Sequence, residues 1–381
     1  MRLYKMELYK LCHRKLFIIG AVCVVGILVL FFCIKVADEM AYVDGITYEG
    51  YQAVQVNRRI TEEFKGILTD EKIEKIVEKY GFPQVVEKRY YGFSDTNFLN
   101  NFVMEYFSDG YFYGWDNFHE ATCVYPIEDT ELGEVKKITG KEIILEYNNG
   151  WFTFVDVLQI GLLLGGILVL FSVSIIFSGE CQSGMLQLLF TTREGRKKGI
   201  YIKIAAAFTV TGIIWAVVVI LDLLLCGAVF GFDGLDCFVG ATKIMFLWVR
   251  DGSPSMLSVG YFTVISLLRG FVGMMLLCAV VLYISACCRS SFHAITVSSV
   301  YFVSPILVWA LAGSVYADSF FVRVLLYTIR ILQYMSPFYM IMPSSVVDVY
   351  RIWQALCSIS AMTCVPCIVA AYRKYRRRQA K

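Results

Sequence analysis

Leu16–Ile34 is a run of 19 residues without a charge. At about 1.5 Å per residue it crosses roughly 30 Å of hydrocarbon as a single helix. Five further apolar runs follow: Val157–Phe177, Ile204–Phe230, Leu267–Cys288, Ala294–Val315 and Ile352–Ala371. Inside a bilayer the backbone must satisfy its own hydrogen bonds, so each run has to be helical. The expected fold is therefore an all-α polytopic membrane protein with six transmembrane helices. Composition agrees: 57% of the residues are hydrophobic and mean hydropathy is +0.61, beyond the range of a soluble domain. A signal peptide is the competing reading of the first run. Its apolar core exceeds the usual roughly 7–15 residues, and no small-x-small cleavage site follows, so an uncleaved first span is expected.

Charge divides the chain. Residues 37–150 hold 22 acidic residues against 11 basic ones, and the remainder holds 24 basic against 10 acidic. Basic residues gather beside alternate spans, at Arg193–Lys198, at Arg289 and at Arg373–Arg378, besides the N-terminal Arg2, Lys5, Lys10, Arg14 and Lys15. The positive-inside rule then predicts both termini inside, and an acidic domain outside after the first span. Residues 1–36 read as an interfacial helix, carrying Leu3, Met6, Leu8 and Leu11, plus the first span. Residues 37–150 read as a small α+β extracellular insert. Residues 151–381 read as the other five spans, with a cytoplasmic loop over 178–203. Phe320–Ser345, broken by Arg323, Arg330, Pro337 and Pro343, reads as re-entrant or surface helices on the outer side. The expected location is the plasma membrane, in a bacterial cell.

Within the insert, Thr69 caps a helix whose first turn holds Asp70 and Glu71 and which Gly81-Phe82-Pro83 ends. Ile73, Ile76, Val77 and Tyr80 form its buried stripe, and Glu71 and Lys75 pair at i,i+4. Glu142–Tyr147 alternates like a strand, and Asn149-Gly150 predicts a hairpin turn into Trp151-Phe152. The aromatic stretch Tyr90–Trp115 has no assignment. Farther on, Val239–Val249 suggests a short interfacial helix.

The chemistry of the common enzyme classes is missing from the sequence. There is no GxxxxGK[ST] phosphate loop, and the three histidines (His13, His119, His293) are scattered, so no metal site is expected. Cys364-Val365-Pro366-Cys367 has redox spacing but lies inside an apolar run, where packing is the plainer reading. Cys123 is alone in the insert, with a bridge to Cys237 left open. Nothing points to nucleic acid. Two charges sit within spans, Asp222 in the third and Arg269 in the fourth, at similar counted depth from the outer ends. Buried ions pair or face water, so an Asp222–Arg269 pair is one expectation. The other has Arg269 reaching the headgroups and Asp222 facing a wet vestibule.

One segment resists a purely topological reading. Phe177–Lys203 runs FSGECQSGMLQLLFTTREGRKKGIYIK. On a helical wheel begun at Cys181, Met185, Leu188 and Leu189 cluster with Leu186 and Phe190, opposite Ser183, Gly184, Gln187 and Thr191. A helix of about three turns is expected, ended by Gly195 within the cations Arg193–Lys198. Topology asks only for positive charge; it does not ask for Glu180 at the membrane exit, then Gly184, then a leucine-rich turn.

The pattern Glu180-x-x-x-Gly184-x-Leu186-x-x-Leu189-x-Thr191-Thr192, followed by Gly195-Arg196, resembles the cytoplasmic loop of ABC-2-type permeases, the membrane subunits of ATP-binding-cassette exporters. Glu7-Leu8-x-Lys10-Leu11 before the first span is also similar to that family's opening, as is the layout of six spans with an outer insert. The resemblance implies a chain that binds no cofactor itself, paired with a second permease copy or paralogue and docked on a separate ATPase that carries ATP and Mg. Glu180 would anchor the coupling helix and Gly184 would allow close approach. Met185, Leu186 and Leu189 would supply apolar contact, and Arg193 and Arg196 polar contact. Arg193-Glu194 stands where the family has a Pro-containing turn. The implied function is export of a peptide, drug or lipid-like substrate. The alternatives are a membrane subunit that senses or neutralises an antimicrobial peptide, and a membrane receptor or enzyme without an ATPase.

Overall fold

The structure, a computed structural model, describes residues 2–85, 93–112, 118–185, 197–244, 254–313, 319–342 and 352–377. In chain order the helices are α1 (Arg2–Cys12), α2 (Lys15–Ala37), α3 (Gly50–Glu62), α4 (Asp70–Tyr80), α5 (Phe98–Phe107) and α6 (Glu131–Thr139). Then come α7 (Asn149–Val173), α8 (Ile175–Gln182), α9 (Lys198–Val229), α10 (Val259–Cys287) and α11 (Ser291–Gly313). The last three are α12 (Phe320–Tyr334), α13 (Pro337–Met340) and α14 (Trp353–Arg377). Among the described residues six helical stretches are long and apolar enough to cross a membrane: α2, α7 with α8, α9, α10, α11 and α14. Their number and hydropathy point to a multi-pass membrane protein.

The chain forms two compact units. The first comprises Met1–Leu28, Leu158–Leu221 and Ile265–Lys381. Small residues let its helices approach closely. A Cβ added at Gly161 would lie 2.6 Å from Val218 and 2.7 Å from Leu28; one at Gly273 would lie 2.8 Å from Met340. The chain breaks helix at Ser174, between α7 and α8, and there the freed backbone groups need partners. Ser285 of α10 supplies them. Its hydroxyl donates to the Ser174 carbonyl at 2.6 Å and accepts from the Phe177 and Ser178 amides at 3.1 and 3.2 Å. The surface helix α12 is held by Gln333, whose amide donates to the Pro305 carbonyl at 2.8 Å.

The second unit comprises Val29–Val157 and Asp222–Val264. Its apolar core joins α3, α4, α5 and α6, with Ile73, Ile76, Leu99, Val103, Phe107, Leu132 and Val135 fully buried. Phe238 and Ala241, from the loop before α10, belong to the same core. The sheets are two-stranded and antiparallel; Gly66–Ile67 pairs with Ile144–Leu145 inside the expected strand. The Thr69 hydroxyl accepts from the Lys72 amide, and Lys75 donates to Glu71 at 2.7 Å, as expected for α4.

Two expectations are corrected. Asn149-Gly150 is not a hairpin turn but the start of α7, so the second apolar helix begins eight residues earlier than its hydropathy suggested. The reason is tertiary: both oxygens of Glu39 accept from the Asn149 amide at 2.7 and 2.9 Å, and Gly150 sits against Phe230, where a Cβ would lie 2.4 Å from its Cβ. Val239–Val249 does not open as a helix. It begins as a single 3-10 turn over Val239–Ala241, and Thr242 is extended, because this stretch is drawn into the core. Of the amphipathic helix expected before Gly195, Cys181 lies in the last turn of α8, which ends at Gln182, and residues 186–196 lie outside the described residues. Cys123 and Cys237 are both free thiols, Cys237 being buried and donating to the Ile144 carbonyl.

Candidate functional site

Glu180 closes the last turn of α8, one charged residue at the end of an apolar helix. Such a carboxylate, kept from water, needs a counter-charge and hydrogen bonds. Two other elements of the first unit, α9 and α14, provide them. Lys203, one turn into α9, donates to Glu180 Oε1 and also pairs with Glu7 Oε1 of α1 at 3.3 Å. The hydroxyl of Tyr375, near the end of α14, donates to Glu180 Oε2 at 2.6 Å. The Tyr375 ring packs against Phe177, one turn before Glu180 on α8, with centroids 4.4 Å apart and planes tilted by 40°. Only 7% of the Lys203 side chain, 12% of Glu7 and 17% of Glu180 is exposed, so solvent screens this cluster little.

Two further cations stand here: the half-exposed Lys10 pairs with Glu7 Oε1 at 3.0 Å, and Arg14 lies between α1 and α2. Burial lowers its guanidinium, and the attraction of Glu7 and then Glu180 pulls it back up. Its Nη1 is buried without a hydrogen bond among the described residues. A cleft of about 500 Å³ lies against these groups, lined also by Leu11, Gly179 and Met185. At its edge the Ser291 amide, in the first turn of α11, donates to Gln182 Oε1 at 3.0 Å. One carboxylate thus gathers α1, α8, α9 and α14, and the residue two positions on touches α11.

Of the residues that the sequence singles out, Glu180, Gly184 and Met185 are described. Gly184 has φ +70°, a conformation that favours glycine, and no atom of the described residues lies within 4 Å of where a Cβ would stand. Among those residues its freedom of backbone, not close approach, calls for glycine. Met185 is half exposed at the mouth of the cleft. Leu186, Leu189, Arg193, Gly195 and Arg196 lie outside the described residues. Asp222 is fully buried in α9 and accepts from the Cys226 thiol at 3.5 Å; Arg269 is fully buried in α10. These two fall in different compact units.

Lys203, Tyr375 and Arg14 were not singled out from the sequence. Lys203 had a signal: it is the cation immediately before the third apolar run, opposite in sign to the lone Glu just after the second. Tyr375 had none, since the tail RKYRRRQAK reads simply as basic.

The second unit has a cleft of its own, about 460 Å³, lined among others by Glu39, Phe98, Asn101, Glu105, Asn149 and Lys243. Burial raises the Glu39 carboxyl, against the pull of Lys243 and the Asn149 hydrogen bonds. Burial raises Glu105 likewise, opposed by Lys243. Among the described residues no group of His, Cys, Asp and Glu side chains could hold a metal ion.

Compared with models of protein families, with curated proteins and with solved structures, the chain matches none.

Proposed function

We propose that this chain is the membrane-spanning subunit of an ATP-binding-cassette exporter of the ABC-2 type. It forms the translocation pathway with a second permease chain and is driven by a separate ATPase that grips the segment after α8. The single observation behind this reading is the ionic cluster on Glu180. A groove-bound segment moves membrane helices only if its root is stiff, and here the root is tied by buried charge to α1, α9 and α14. The six apolar helical stretches and the missing phosphate loop are consistent with a motor on another chain.

The test is capture of the intact chain from its native membrane in mild detergent, followed by identification of retained proteins. A nucleotide hydrolase should co-purify, and Glu180→Ala or Leu186→Asp should reduce its retention several-fold. An intact chain that retains no hydrolase overturns the reading. A peptide-sensing subunit is the second reading, favoured by the cleft at Glu39 and Glu105 in the acidic unit. It needs the same ATPase, so substrate flux in proteoliposomes separates the two.

A further inference from the structure

The end of α14 carries two faces. Ala371 and Tyr375, one turn apart, are fully buried. Val369, Tyr372, Arg373, Arg376 and Arg377 lie on the opposite arc of the same turns and line a cleft of about 620 Å³. Its wall is Tyr201 of α9, whose ring stacks on Tyr372 at 4.9 Å and 27°. Its floor is Ile368 and Val369, one turn back toward the apolar part of the helix. Among the described residues Arg373, Arg376 and Arg377 form no ion pair and no acidic residue lines the cleft.

An ordinary solvated run of charge would account for the arginines alone. It would not account for a stacked tyrosine pair and an apolar floor arranged beneath them on one helical face. Cations at the polar end of an apolar groove, with aromatic rings between, match an amphiphile that has an anionic head and a hydrocarbon tail. The arginine fork suits a phosphodiester in particular.

We infer that the cleft between the start of α9 and the end of α14 is a binding site for an anionic phospholipid. The phosphate lies on Arg373, Arg376 and Arg377, the glycerol region lies against Tyr201 and Tyr372, and an acyl chain runs over Ile368 and Val369. The site uses the membrane character of the chain and is independent of the transporter reading. It also has a consequence for the Glu180 cluster. Tyr375, which hydrogen-bonds Glu180, sits on the same helical turn as Arg373 and Arg376, so a bound lipid steadies the strut that holds that carboxylate.

The experiment is native mass spectrometry of the full chain in mild detergent, titrated with phosphatidylglycerol or phosphatidylcholine of matched acyl length. The intact chain should retain phosphatidylglycerol at least several-fold better. R373Q/R376Q/R377Q should bring that ratio close to one, while R2Q/K5Q/R289Q, which removes three exposed cations elsewhere, should leave it unchanged. Should the triple variant fail to fold, Val369→Asn at the partly exposed floor takes its place. It should weaken phosphatidylglycerol binding and leave the head-group compound glycerophosphoglycerol unaffected. Equal retention of the two lipids by the intact chain overturns the inference, as does an equal loss in both triple variants. Complete displacement of the lipid by low millimolar inorganic phosphate also overturns it, in favour of a site for soluble phosphate.

Discussion

Two ionic clusters invite comparison because they use the same side chains in different surroundings. In the first unit Glu180, Lys203, Glu7 and Arg14 are packed to between 7% and 17% exposure for the three members that form ion pairs. In the second unit Asp233 accepts from Lys65 at 3.3 Å and Arg58 at 3.4 Å, and Lys65 lies 3.7 Å from Glu146, with the paired side chains of Arg58, Lys65 and Asp233 34–36% exposed. Each cluster has one more exposed member: Lys10 lies 3.0 Å from Glu7 in the first, and Glu62 lies 3.8 Å from Lys65 in the second. Buried ions cannot fall back on water when a partner is removed, whereas half-exposed ions can. Only the first cluster is therefore built to make distant helices depend on one residue.

The largest effect should follow from breaking the buried Glu180–Lys203 pair. Glu180→Ala leaves the buried Lys203 with Glu7 alone, an acid that Lys10 already shares, and Lys203→Met leaves Glu180 without its close counter-charge. Each should lower stability by about 3–5 kcal/mol, read as a fall in the thermal midpoint of the detergent-solubilised chain. The double variant removes both members of the buried pair, leaves neither without its partner, and should lose clearly less than the sum of the two singles. Strict additivity would show that the groups act separately and would break the comparison. Tyr375→Phe comes next. It deletes one hydrogen bond to a charged acceptor while keeping the ring on Phe177, so a loss of about 1.5–3 kcal/mol is expected. If Tyr375→Phe is silent, α14 is not tied through Glu180.

What the sequence revealed and concealed follows the same line between local and tertiary causes. The six apolar helices were legible because hydropathy over some twenty residues needs no context. α4 was legible because Thr69, Asp70, Glu71 and Gly81 are all local signals, and the structure uses each of them. α5 was hidden although it centres the core of the second unit. Its capping box uses asparagine in both places: the Asn97 side chain accepts from the Leu99 and Asn100 amides, and Asn100 returns a bond to the Asn97 amide. Neither residue is the Ser, Thr, Glu or Gln of the usual signature. Asn149-Gly150 misled for the opposite reason, since a strong local turn signal was overruled by Glu39 and Phe230, each about a hundred residues away or closer. At the candidate site Glu180 stood out as a charge at a helix exit. Its partners did not, because Glu7, Lys203 and Tyr375 meet only when three helices pack.

The smallest effect tests the other side of the comparison. Asp233→Asn removes a carboxylate that serves Arg58 and Lys65, but it spares the residue's backbone carbonyl, which accepts from the Trp151 indole at 2.7 Å. Glu146 remains beside Lys65, and its other oxygen continues to accept from the Gly234 amide. Arg58 and Lys65 are open enough for water to replace what is lost, so the change should cost under about 1 kcal/mol. It should shrink further as salt rises from 0.05 to about 0.5 M, because the Debye length then falls from roughly 14 Å to roughly 4 Å and exposed charges are screened. Glu180→Ala should keep nearly its full effect over the same range. A large, salt-resistant loss on Asp233→Asn would mean that this cluster is shielded from solvent after all, and burial would no longer distinguish the two.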